Sequence, residues 1–184
     1  MPEPLLPIHR SIIVPWDQQR AFDRFTRDIA VWWPIKTHSL GRDRAETVVF
    51  EGWVGGRIRE KIRGGEESIW GTVTAWQPPS QVSFTWHPGK PAETAQQVDL
   101  RFVPAAGGTQ VQLTHSGWEA LGDLARTARR GYPVGWAYVL LLYAGKPDAF
   151  LVRFTDLVQR LFGPMLERRF RKIEARAAAG RQGA

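Results

Sequence analysis

Gln81-Val82-Ser83-Phe84-Thr85-Trp86-His87 alternates without a fault, with Val82, Phe84 and Trp86 on one side of an extended chain and Ser83, Thr85 and His87 on the other. Gln97 to Val103 repeats the pattern, Val98, Leu100 and Phe102 opposing Asp99 and Arg101. One greasy face and one wet face mark a sheet packed on a single side. Working outward, strands are also read over Ile8 to Val14, Thr47 to Trp53, Arg57 to Arg63, Ser68 to Trp76 and Gln110 to His115. Gly55-Gly56, Gly64-Gly65, Pro78-Pro79, Pro88-Gly89 and Gly107-Gly108 separate them at short intervals, which predicts antiparallel hairpins rather than helical crossovers.

Helical spacing flanks this block. Ala21, Phe22, Phe25 and Ile29 recur at helical intervals after Asp17, a cap residue, and before Pro34, a terminator. Past Thr114-His115-Ser116-Gly117, Trp118, Leu121 and Leu124 keep the helical period, and after Pro133 so do Trp136, Leu140 and Tyr143. Gly131-Tyr132-Pro133 is expected to break or kink this late helix. A bent sheet with a helix across its mouth encloses a hollow, and hollows bind small molecules.

The chain has 184 residues, 43% of them hydrophobic, which suffices for one sizeable core and predicts one domain, residues 1–145, with an extension, residues 146–184. There is no cysteine, so disulfides, thiolate metal ligands and a cysteine nucleophile are excluded, as suits a reducing compartment. The opening residues Met1-Pro2-Glu3-Pro4-Leu5-Leu6-Pro7 lack the pattern of a signal peptide, and no apolar run reaches the roughly 18 residues of a membrane span. The cytoplasm is the expected location.

The formal charge of +7 is unevenly spread. Residues 1–145 carry 16 Lys/Arg against 14 Asp/Glu, whereas residues 146–184 carry 9 against 4. Any attraction to polyanions belongs to the extension, so nucleic acid is not the expected partner of the strand region. In the extension Phe150, Phe154, Leu157, Leu161 and Phe162 form an apolar stripe, Gly163-Pro164 interrupts it, and residues 165–176 resume as a basic helix. Three readings stay open: docking on the body or on a second copy to form a homodimer, peripheral contact with an anionic membrane, or capture of nucleic acid or an acidic protein.

Fragments along the chain resemble a known family. Trp32-Trp33-Pro34, Thr37-His38-Ser39, Phe50-Glu51, Gly55-Gly56-Arg57, Glu60, Trp70-Gly71, Trp76-Gln77-Pro78-Pro79, Phe84-Thr85-Trp86, Gly108-Thr109 and His115-Ser116-Gly117-Trp118 are similar, in order and spacing over roughly residues 6 to 143, to the SRPBCC superfamily. More narrowly they resemble its branch named for homology to the activator of the heat-shock protein 90 ATPase. The resemblance implies an α+β helix-grip fold: a seven-stranded curved antiparallel sheet wrapped around a C-terminal helix, two short helices after the first strand, and a cavity between. Members of that superfamily carry lipids, sterols and other apolar ligands or catalyse polyketide cyclisation, so the fold alone assigns no activity. The co-chaperone's second domain is not seen before residue 6, which argues against direct chaperone activation.

Two polar residues stand out. Glu60 shares a strand side with Ile58 and Ile62, which turns its carboxylate toward the hollow; a one-residue register slip would place it outside among Arg57, Arg59 and Lys61. His115 shares a face with Val111 and Leu113 and serves either as an acid-base or donor group in the cavity or as a structural histidine at the strand-to-helix turn. His38 lies in the connection bordering the mouth. No metal site is expected, because His9, His38, His87 and His115 are scattered and no HExxH pattern occurs. No nucleotide cofactor is expected either, since Gly52 to Gly56 joins two strands rather than opening a helix. Ser116 is adjacent to His115 and so faces the opposite way, poor geometry for a nucleophile and its base.

The end of the first helical stretch, the connection at the mouth, the inward strand faces and the closing helix nominate Trp33, His38, Ile58, Glu60, Phe84, Trp86, Leu100, Phe102, Leu113, His115, Trp136 and Leu140 as the ligand-binding set. The first reading is a non-catalytic carrier or sensor of an apolar or aromatic small molecule. The second is a cyclase-, dehydratase- or hydrolase-type enzyme with Glu60 and His115 as catalytic acid and base. The third is a protein-interaction or co-chaperone-like module acting through residues 146–184.

Overall fold

A computed structural model describes residues 5–158; the basic segment 165–176 and the stripe residues Leu161 and Phe162 lie outside them. Seven antiparallel strands form one sheet: β1 (Ile8–Val14), β2 (Ala45–Phe50), β3 (Arg57–Ile62), β4 (Glu66–Gln77), β5 (Gln81–Trp86), β6 (Gln96–Ala105) and β7 (Gly108–Ser116), in the spatial order β1-β7-β6-β5-β4-β3-β2. The first two strands therefore occupy opposite edges. Two short helices, α1 (Gln18–Phe25) and α2 (Ile29–Trp32), carry the chain between those edges. Asp17 caps α1 by accepting the Arg20 amide at 2.7 Å, and Ala21, Phe22 and Phe25 are its buried face.

The sheet curves because its longest strand is bulged. Arg59 pairs with Ile69 while Ile58 pairs with Gly71, so Trp70 is an extra residue, and a second register shift falls between Val73 and Ala75. Gly71 is obligatory at the bend, since a Cβ there would stand 1.8 Å from the Thr85 carbonyl oxygen.

After β7, a 3₁₀ turn (Trp118–Leu124) leads into α3 (Ala125–Tyr143), the helix that the sheet grips. The break expected at Gly131-Tyr132-Pro133 is not there: α3 runs unbroken through Pro133, and the non-helical residue is Gly122 at φ 53°, ψ −129°. Pro133 costs the helix one hydrogen bond and about 3 kcal/mol, which burial of Trp136, Tyr138, Val139, Leu140 and Tyr143 just beyond it outweighs. Tyr143 pins the end of α3 by donating to the Ala21 carbonyl at 2.8 Å, while Arg24 donates to the Tyr143 carbonyl at 2.9 Å.

Beneath α1 and the end of α3 the interior is solid. Phe22 meets Phe102 at 5.2 Å and Trp76 at 4.9 Å between ring centroids, and Phe25 meets Tyr143 at 5.4 Å and Trp32 at 5.2 Å. Residues 150–158 are helical, and Val152 joins this core at 2% exposure. Phe150, Phe154 and Leu157 of the same segment remain exposed. Trp53 is the tryptophan that departs most from the core, with 55% exposure in the β2–β3 turn.

Candidate functional site

At the other end of the sheet face, α3 lifts off and leaves a cavity of about 390 Å³. Its loop wall is Trp33, His38, Ser39 and Leu40, its sheet floor is Trp70, Trp86 and Pro88, and its helix wall is Ala128, Gly131, Tyr132, Gly135, Trp136 and Val139. No acidic side chain, lysine or arginine is among these residues.

Four indoles form a continuous aromatic surface. Trp33 lies 5.2 Å from Trp70 and 5.9 Å from Trp86, and Trp86 lies 5.8 Å from Trp70 and 5.7 Å from Trp136. Each is held by a different local device. Trp33 follows the last turn of α2 and donates its Nε1 proton to the His38 carbonyl at 2.8 Å. Trp70 is thrown inward by the β4 bulge. Trp86 ends β5 on the face shared with Val82 and Phe84, and Trp136 rides the inner face of α3.

Three of the six helix-wall residues are small. Ala128, Gly131 and Gly135 stand three and four positions apart, on one face of the helix. A Cβ at Gly131 or Gly135 would meet nothing within 4 Å, so neither glycine is demanded by crowding. Each costs the helix about 1 kcal/mol relative to alanine, and what they leave is room.

Glu60 is fully buried, on the side that the alternation of β3 gave it. Its carboxylate accepts the Leu40 amide at 2.9 Å, the Gly41 amide at 2.7 Å and the Trp70 indole N–H at 3.2 Å. It therefore clamps the loop wall to the floor from behind, and its oxygens stand outside the cavity lining. His115 is likewise fully buried one layer back, with Nδ1 accepting the Trp136 indole N–H at 2.9 Å. That bond leaves the proton of a neutral ring on Nε2, which has no partner; the imidazole centroid lies 4.1 Å from the Trp118 ring and 4.7 Å from that of Tyr132. Burial pulls the imidazole down from 6.5 to about 3.

His38 stands at the mouth, Nδ1 3.0 Å from the Thr37 hydroxyl and its ring stacked on Tyr138 at 4.8 Å. Burial lowers it to about 4, against a weaker upward pull from Asp156. Tyr138 donates to Asp156 Oδ1 at 2.7 Å, and burial raises its phenol to about 12.

Of the set nominated from sequence, Trp33, His38, Trp86 and Trp136 meet in this cavity. Ile58, Phe84, Leu100, Phe102, Leu113 and Leu140 sit in the packed core instead, because Phe22 covers Phe102 and Phe50 covers Phe84 at 5.6 Å. The nominated set lacks Trp70 and Tyr132. Trp70 falls among the polar partners of its strand under strict alternation, and only the neighbouring Gly71 hints at a bulge. Tyr132 falls in the stretch whose glycine and proline predict a helix break.

A curved sheet gripping one helix over a one-sided cavity defines the helix-grip class, the SRPBCC superfamily. Within it, the chain belongs to the activator of Hsp90 ATPase homolog 1-like protein family, whose model matches residues 18–140. Solved structures repeat the fold. Protein MLL2253 from Mesorhizobium loti is 17% identical with a TM-score of 0.56, covering 79% of this chain and 98% of that one. The Aha1 dimer from Colwellia psychrerythraea is 20% identical at a TM-score of 0.52, covering 74% and 92%. The anthrahydroquino-gamma-pyrone synthase Txn09, solved as a complex, is 29% identical at a TM-score of 0.50, covering 72% and 90%. No curated protein sequence matches the chain. No helix among the described residues is long and apolar enough to cross a membrane.

Proposed function

We propose that the protein binds one neutral, ring-bearing hydrophobic small molecule between its sheet and α3, as a carrier or sensor. The observation that carries this reading is the cavity of about 390 Å³ walled by four indoles. Its size suits a ligand of two to four fused rings. Burying some 200 Å² of ring surface would contribute roughly 5 kcal/mol before the cost of immobilising the ligand, and edge or offset contacts with the indoles add to it. Neutrality follows from the lining. It offers no counter-charge, and its one histidine, His38, is held uncharged at neutral pH. The residues nominated here as ligand contacts are Trp33, His38, Trp70, Trp86, Tyr132 and Trp136.

A second reading, an enzyme acting on an aromatic substrate in the same cavity, draws support from the 29% identity to a synthase. Glu60 and His115, the acid and base expected for it, stand one side chain behind the wall, so within this reading the titratable groups that meet substrate are His38 and Tyr132.

Native mass spectrometry of the full chain with 1-aminoanthracene tests the first reading, alongside a Gly135→Leu variant whose side chain enters the open space. A one-to-one adduct with the wild-type protein that the variant loses is the expected result. Absence of any adduct, or an adduct indifferent to Gly135→Leu, overturns it.

A further inference from the structure

The four cavity indoles differ in one respect. Trp33, Trp70 and Trp136 each spend the Nε1 proton on a protein acceptor, the His38 carbonyl, Glu60 Oε2 and His115 Nδ1 respectively. Trp86 does not. It is 5% exposed, and its Nε1 is buried without a hydrogen-bond partner. Buried indole N–H groups ordinarily find one, and an orphan in a well-packed protein calls for a cause.

Tyr132, on the facing wall, lines the same cavity as Trp86. The Trp86 indole bears on the Tyr132 phenol as a donor, pulling it down somewhat against the larger upward push of burial, which takes it to about 12, while its Nε1 stays short of a well-formed hydrogen bond. Tyr132 itself is half-buried and lines the cavity, whereas the Trp86 nitrogen is out of solvent reach. A molecule in the cavity therefore meets the tyrosine hydroxyl first, with the indole N–H behind it. A hydroxyl that accepts from an N–H on one side becomes the stronger donor on the other.

We propose that Tyr132, backed by Trp86, is the anchor for a single acceptor oxygen, so that the ligand is a neutral aromatic carbonyl compound of the aryl ketone or quinone type, held with its carbonyl toward Tyr132. This rests on the cavity-binding reading and narrows it from any ring-bearing molecule to one with a carbonyl. The occupied state closes both bonds, N–H to phenol and phenol to carbonyl. A hydrocarbon of the same shape leaves both donors dry and unpaired.

Fluorenone and fluorene, identical but for a carbonyl in place of a methylene, are the probes. Water-to-oil transfer favours fluorene, so simple burial predicts that the hydrocarbon binds the full chain more tightly. The proposal predicts the reverse, fluorenone tighter by roughly ten- to a hundredfold in calorimetric or fluorescence titration. It also predicts that Tyr132→Phe removes most of that preference, weakening fluorenone while fluorene, relieved of an unpaired donor, binds at least as tightly as before. The infrared carbonyl stretch of bound fluorenone, lowered relative to fluorenone in hexane, should return toward the hexane value in Tyr132→Phe. Trp86→Phe should give a smaller return, as befits a positioning residue. If both probes bind and fluorene is as tight or tighter, or the carbonyl stretch is unshifted in the wild-type protein, the anchor is wrong and the carrier reading stands. If neither probe binds, the carrier reading fails with it.

Discussion

One sheet face supports two interiors. Toward the end of α3, Phe22, Phe25, Phe102 and Tyr143 interlock at ring distances of 5.2 to 6.2 Å. Toward its start, the same inward strand positions face Ala128, Gly131 and Gly135, and a cavity of about 390 Å³ remains. The strands do not distinguish the two ends, because alternation supplies large apolar side chains throughout. The difference lies on the helix, where Leu140 and Tyr143 fill and the two glycines do not. Curvature makes the space, and the residues of one helix face decide how much of it is filled.

Phe102→Ala, at the solid end, should lose about 3–5 kcal/mol of stability in urea unfolding, while affinity for a cavity ligand in the folded fraction stays as in the wild type. If ligand affinity fell with it, the two ends would be one mechanical unit and the contrast would be broken. Acid probes the opposite end through His115, which supports Trp136. Its folded value of about 3 lies below the ordinary 6.5, so the unfolded chain takes up a proton that the native imidazole refuses. Its contribution to stability is whole above pH 6.5 and is lost as pH falls toward 3, at up to about 1.4 kcal/mol per pH unit. Urea midpoints measured across that range should show a shallower slope in His115→Gln. The smallest effect sharpens the contrast most: Gly135→Leu should raise the thermal midpoint by the equivalent of about 1 kcal/mol through helix propensity, because a Cβ there meets nothing within 4 Å. A drop in the midpoint would mean that the wall is tighter than its open surroundings indicate.

The strands, their antiparallel order and the inward face were legible because a period of two survives in Gln81–Trp86 and Gln96–Ala105 whatever surrounds them. The placement of Glu60 was open, since a slip of one residue would have reversed it; three N–H donors from Leu40, Gly41 and Trp70 decide it, and two of them arrive from a loop whose path no local pattern encodes. Trp70 and Tyr132 escaped for related reasons. A bulge shifts the phase of one strand, and a proline that looked like a break is tolerated because the residues beyond it bury so much surface. Phe84 and Phe102 have the pattern of cavity walls, and only the rings packed over them show that they are not.

Tyr138 has one face at each of two places. Its ring lies flat against His38 at the cavity mouth, and its hydroxyl holds Asp156, in the segment that follows α3. The gatepost and the chain's later helix thus meet at one aromatic ring, and a load applied to residues 150–158 has a route to the entrance through the Tyr138 hydroxyl and its stacked ring. Traffic into the cavity and whatever engages that helix are, by this linkage, mechanically in series.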